Sequence, residues 1–224
     1  ESGGLLGHSE LAGVPLKYLV QKDKWKHYAR LGQDSLDGRR FDTFNHYSQQ
    51  IGTDRFVKIS IGDKSSGPKI AFFPPDDTSL GFTPKDGKDR VKSLPGYISS
   101  YEAAVSLARA NAAGITLFKP HPSFLEETLP DCHESGLLVV EEDFRRMIKW
   151  SDVVATTGSG LQFLALAAGR PIISMGIDLM TGKGISYEAL HSNVAVRIVE
   201  NAFKRKGFQE RIERFHVLLG YLMH

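Results

Sequence analysis

At 224 residues, with 41% hydrophobic and 24% charged side chains, the chain has the composition of a globular protein able to bury a substantial core. A formal charge of +2 excludes the strongly basic balance of a nucleic-acid binder, and no apolar run approaches the ~20 residues of a membrane-spanning helix. The single cysteine, Cys132, excludes an internal disulfide and suits a reducing, cytoplasmic compartment.

In chain order, the sequence opens at "ESGG" without a Met, so no targeting signal is read from its start. Residues 1–66 are polar and rich in aromatics and His, with weak strand signals, and form a partial N-terminal region. "GDKSSGP" (Gly62–Pro68) is a break in composition and reads as a linker or loop. From there a regular alternation begins. "KIAFFPP" (Lys69–Pro75) is a buried strand stopped by prolines. "SSYEAAVSLARANAAG" (Ser99–Gly114) is a helix with Ser99 as cap, Glu102 three residues on, and Gly114 to close it. The strand "ITLFKP", a short helix "SFLEETL", the strand "GLLVVEE" and the amphipathic helix "EDFRRMIKW" follow. Then come the strand "SDVVATT", the helix "GLQFLALAAG" and the strand "PIISMG". The tail is helical, with a break at Gly207. Short, uniformly apolar strands alternating with helices predict a parallel sheet covered on both faces, residues 67–224 forming one α/β domain with a C-terminal helix.

In such sheets ligands bind outside the carboxyl ends of the strands. Two unusual stretches fall there. In "TTGSG" (Thr156–Gly160), Gly158 and Gly160 permit a tight turn, the next helix begins with outward N–H groups, and Thr157 and Ser159 add hydroxyls. An anion, phosphate above all, is the natural guest. The plain alternative is a capping box of Ser159 with Gln162. The turn is neither a Walker loop nor a GxGxxG, so no ATPase or NAD reading follows. In "KPHP" (Lys119–Pro122), Pro120 and Pro122 restrict the backbone around His121, a phosphate donor, and Lys119 adds charge. The two stretches are expected on neighbouring units at one sheet edge. A third, "TGKGISYEA" (Thr181–Ala189), is expected as a flexible loop at the same edge through Gly182 and Gly184, with Ser186 and Tyr187 as polar contacts and Gly184 and Ser186 among the phosphate-binding residues. Asp76 and Asp77 read as a solvated turn, and His121, Cys132 and His133 lack zinc-site spacing, so no metal is expected.

"KPHP", then "SDVVATTGSG" and "LALAAGRPIISMG", resembles the nucleotide-binding half of GT-B glycosyltransferases. The resemblance is to the bacterial capsule and lipopolysaccharide group, including Kdo transferases and bacterial sialyltransferases. It covers residues 69–200 best and implies a Rossmann-like domain with His121 as the histidine of an HP motif and Thr157 and Ser159 as the Ser/Thr motif. Those motifs hold the phosphate of a CMP-sugar; the loop at Gly184 is similar to the glycine-rich loop of capsule enzymes. "ESGG" is similar to the acidic-x-Gly motif that carries the catalytic carboxylate, which implies Glu1 as base or nucleophile and Gly3 as its turn glycine. The family implies metal-independent transfer of a Kdo- or sialic-acid-like sugar to a glycan or glycolipid, without a cofactor, in the cytoplasm or at the inner membrane surface. Where capsule enzymes often carry an acid after the Ser/Thr turn, this chain has Gln162, and it holds one Rossmann-like half and a fragment. A UDP-sugar 2-epimerase, a teichoic-acid-type polyol-phosphate transferase, a receiver-like signalling domain and a non-catalytic nucleotide-binding module are the alternatives.

Overall fold

The computed structural model of the chain describes residues 11–37, 67–75, 94–121 and 136–223. Glu1, Gly3, Asp76, Asp77, Pro122, Cys132, His133 and the expected helix in "SFLEETL" lie outside them.

Among the described residues, six strands form one parallel sheet: β1 (Lys69–Phe73), β2 (Ile115–Phe118), β3 (Leu137–Val139), β4 (Val153–Thr156), β5 (Ile172–Ser174) and β6 (Tyr187–Glu188). The order across it is β3-β2-β1-β4-β5-β6, and every neighbouring pair is parallel. This is the Rossmann-like order, with β1 and β4 at the point where the winding reverses. Apart from Lys69 at the start of β1 and Thr156 at the end of β4, both strands are apolar because both faces are covered: Ile70, Ala71, Phe72, Val153, Val154 and Ala155 are all fully buried. The two-residue β6 falls inside "TGKGISYEA", expected as loop; Tyr187 and Glu188 pair with Ile173 and Ser174 and extend the sheet by a strand.

The helices are α1 (Leu16–Leu19), α2 (Trp25–Asp37), α3 (Ser100–Ala110), α4 (Phe144–Trp150), α5 (Leu161–Ala167), α6 (Ala195–Phe203) and α7 (Phe208–Met223). α3 begins as its sequence predicts: the Ser99 hydroxyl accepts from the Glu102 N–H at 3.1 Å, and the Glu102 carboxylate accepts from the Ile98 N–H. It ends at Asn111, earlier than Gly114, because the buried Asn111 amide donates to the Pro68 carbonyl and the Thr116 hydroxyl, which turns the chain into β2. α4 is capped by Asp143. The break between α6 and α7 includes Gly207, as predicted.

The helix α2 comes from the stretch where only weak strand signals were read. Its buried stripe has Gly32 at the centre, where the backbone of α7 approaches. α2 and α7 run antiparallel, Tyr28 opposite Gly220 and Gly32 opposite His216. α7 reaches the rest of the core through Phe215, whose ring lies 6.1 Å from that of Phe163 on α5. Leu16 and Val20 join the same apolar cluster as the sheet. Among the described residues, no helix is long and apolar enough to cross a membrane.

Candidate functional site

The carboxyl ends of β1 and β4 lie side by side, Phe73 paired with Thr156. β4 leaves the sheet through Thr156, which is fully buried. Its Oγ1 accepts from the N–H of Gly158 at 2.9 Å and of Ser159 at 2.7 Å. The β4–α5 turn is therefore held from inside by a threonine hydroxyl. Gly158 has φ +135°, a conformation that L side chains rarely adopt, and a Cβ placed on it would lie 3.7 Å from the Cβ of Asp178.

The bond pattern decides which groups of the turn can meet a ligand. The amides of Gly158 and Ser159 are spent on Thr156. The Thr157 hydroxyl shares a buried hydrogen bond with Ser100 at the start of α3, which ties that helix to the turn. The Ser159 oxygen accepts a long bond of 3.4 Å from the Leu161 N–H, which leaves its proton to donate outward. Gly160, not Ser159, is the residue that caps α5, with no side-chain cap bond. The alternative reading of the turn, a Ser159–Gln162 capping box, is not formed. Gln162 is buried instead, and its Oε1 has no partner among the described residues.

Lys119 and His121 follow β2, on the other side of β1. The Lys119 N–H donates to the Phe72 carbonyl at 3.1 Å, which carries the β2 end one residue further along β1. Lys119, Pro120 and His121 are half-buried. The two motifs share an edge, as expected, but are not on neighbouring strands. β1 stands between them, so the strand ends are about 10 Å apart at the usual strand spacing.

The third stretch differs most from expectation. "TGKGISYEA" is no flexible loop: Thr181, Lys183, Ile185, Ser186 and Tyr187 are buried. Asp178 organises its approach. Its Oδ1 accepts from the N–H groups of Met180 and Thr181 and from the Thr181 hydroxyl, and its Oδ2 accepts from Ser174 at 3.3 Å. Burial pushes the Asp178 carboxyl up, against the pull of these bonds. The Lys183 ammonium is pushed down to about 8 by burial, against the attraction of Asp178 and Glu188, and donates to the Leu11 carbonyl at 2.7 Å. Gly13 N–H donates to the Asp178 carbonyl at 3.3 Å, so the segment before α1 is fastened to this knot at two points. Ser186 directly precedes β6, and thus enters it from the amino end. Arg211 of α7 donates to the carbonyls of Gly184 and Ser186 and stacks on the Tyr187 ring at 4.0 Å. Gly184 and Ser186 are thereby held against α7 and are not gathered with His121 and Ser159.

The structure brings Lys119, His121, Gly158, Ser159 and Gly160 to the carboxyl edge around the end of β1. Sequence reading missed Thr156, Asp178 and Lys183. Thr156 reads as the last residue of an apolar strand, and "DLMT" carries the one recoverable signal, an Asp followed by Thr three residues later.

No known protein-family model matches the chain, and no curated protein matches it. Among solved structures it is similar to Thermosulfurimonas dismutans KpsC, a beta Kdo 2,7 transferase, with a TM-score of 0.42 and 18% identity over 71% of this chain. The match takes in 52% of that protein, so this chain spans about half the length of the structure it matches. The fold assignment rests on the strand order itself.

Proposed function

We propose that the chain is the nucleotide-binding part of a GT-B-type glycosyltransferase that moves a Kdo- or sialic-acid-like sugar from a CMP-activated donor to a glycan or glycolipid acceptor in bacterial surface polysaccharide synthesis. One observation carries this reading: the winding of the sheet reverses between β1 and β4, and the KPH and TGSG stretches end the strands on either side of β1. The Ser159 hydroxyl and the Gly160 N–H face the anion from the β4 side, Lys119 and His121 from the β2 side. As the sugar–phosphate bond breaks, charge grows on the leaving nucleotide, and these donors stabilise it without a metal or cofactor. Glu1 takes the proton of the attacking acceptor hydroxyl. Leu11, ten residues on, is fastened beside the β5 end, and ten residues reach up to about 33 Å. In this reading residues 1–66 supply the acceptor side and 67–224 the nucleotide side, in the cytoplasm or against the inner membrane.

Calorimetric titration with CMP, UDP and CDP, with His121→Ala beside the wild type, tests it. The expected result is CMP binding that weakens at least about tenfold in the variant. Preference for UDP moves the reading to an epimerase or hexosyltransferase, preference for CDP to a polyol-phosphate transferase, and no binding of any nucleotide removes the phosphate site. Glu1→Gln is expected to abolish transfer and leave nucleotide affinity unchanged; retained turnover rejects the carboxylate's role.

A further inference from the structure

A cavity of about 400 Å³ lies between α3 and the start of α6. Its size is that of a small-molecule site. None of Lys119, His121 or Thr156–Gly160 lines it. One wall is a single stripe of α3, since Glu102, Ser106 and Arg109 are spaced by four and three residues. The other wall is Ser192, in the 3₁₀ turn before α6, and Val196 in its first turn. The floor is Tyr97, 2% exposed, its hydroxyl donating to the Ala189 carbonyl at 2.9 Å.

The chemistry of these walls selects a guest. Glu102 and Arg109 are seven residues apart, about 10 Å along the helix, too far to neutralise each other. The Arg109 side chain makes no ion pair or hydrogen bond to any described residue, so the cavity offers a guanidinium at one end. Glu102 offers acceptor oxygen at the other end, with one oxygen taken by the Ile98 N–H. Ser192 offers a hydroxyl between them, and Ser106, whose hydroxyl interacts with that of Tyr97, offers its remaining acceptor capacity. A purely apolar guest would strand both charges. A nucleobase finds no stacking face, because the Tyr97 ring is covered. What remains is a molecule with an anionic group for Arg109, hydroxyls for the serines and Glu102, and C–H faces for Val196.

We propose that this cavity binds a small polyhydroxylated anion, a phosphorylated or carboxylated sugar. It does so independently of the nucleotide site. The test is calorimetry on the full chain with glucose 6-phosphate, glucuronate and glucose, using wild type, Arg109→Gln and Val196→Trp. The Trp fills the cavity, and both positions tolerate change because Arg109 is exposed and Val196 is 66% exposed. At least one anion is expected to bind about tenfold or more better than glucose, and both variants are expected to lose about tenfold or more with unchanged thermal unfolding. Binding of the phosphate ester alone identifies phosphate as the recognised group, and of glucuronate alone, carboxylate. Ser159→Ala is expected to leave this binding as it is. The proposal is overturned by binding of neither anion, by glucose binding as well as they do, or by undiminished affinity in both variants.

Discussion

Thr156 is a small side chain with two structural tasks. It is the last residue of β4 and also accepts both amides of the turn that follows. Thr156→Val keeps the shape and removes the acceptor, which leaves two part-buried N–H groups without a partner. We expect a loss of about 1–3 kcal/mol in urea unfolding, with Thr156→Ser close to wild type; a valine variant as stable as wild type rejects the hydroxyl's role. Lys183 gives a pH signature. Burial lowers its folded pKa to about 8, below the ordinary lysine value of 10.5. Between those values the unfolded chain holds the proton and the folded chain does not, so this lysine makes stability rise with pH from about 8 upward. Below pH 8 both states are protonated and the contribution is flat. The unfolding free energy of wild type minus that of Lys183→Met should therefore climb between pH 8 and 10. A difference that stays level, or falls, contradicts the burial of a charged ammonium.

Between elements, the α2–α7 pair is governed by close backbone approach. A Cβ on Gly220 would lie 2.0 Å from the Tyr28 carbonyl oxygen, and one on Gly32 would lie 1.9 Å from that of His216. Neither obstacle is a flexible side-chain end. Alanine gains helix propensity, about 1 kcal/mol over glycine, but forces the helices apart along their seam. Overpacking of this kind costs about 1–3 kcal/mol, and here it falls on two backbones at once. We predict that Gly220→Ala lowers the melting temperature; a variant that melts at or above wild type refutes the tight crossing. This seam also explains why α2 was not legible. Helical patterning is recognised by large apolar residues along one face, and in "WKHYARLGQDSLD" the most buried position is a glycine. The contact that makes the segment a helix belongs to α7, nearly two hundred residues later.

Across the whole molecule, β1 is the pivot. It is paired on both edges, with β2 and β4, and the two halves of the sheet wind away from it. Phe72, its fourth residue, is fully buried, its ring 5.6 Å from that of Phe118. Phe72→Ala is expected to cost about 3–5 kcal/mol, the range for a large core truncation. It should lower stability in one cooperative transition, read by fluorescence and circular dichroism together. Separate transitions for the two halves of the sheet would show that β1 does not couple them.

The alternation of short, mainly apolar strands with helices was legible from residue 69 onward because it is a local property: β1, β2, β4 and β5 are largely apolar runs, and α3 and α4 carry their own caps in Ser99 and Asp143. The turn residues at the carboxyl ends were legible for the same reason, since proline and glycine act on their own backbone. Three things needed the folded chain. The first is the strand order, which puts β1 between the histidine and the glycine turn. The second is the fate of the polar groups. Thr157 is spent on Ser100, Ser186 is buried at the entry to β6, and Asp178 and Lys183 are drawn into a knot with the segment at Leu11. The third is that "TGKGISYEA" is fixed, because Arg211 and the edge of β5 close on it. Hydrogen-bond partners hundreds of atoms apart along the chain are set by packing, and no local pattern records them.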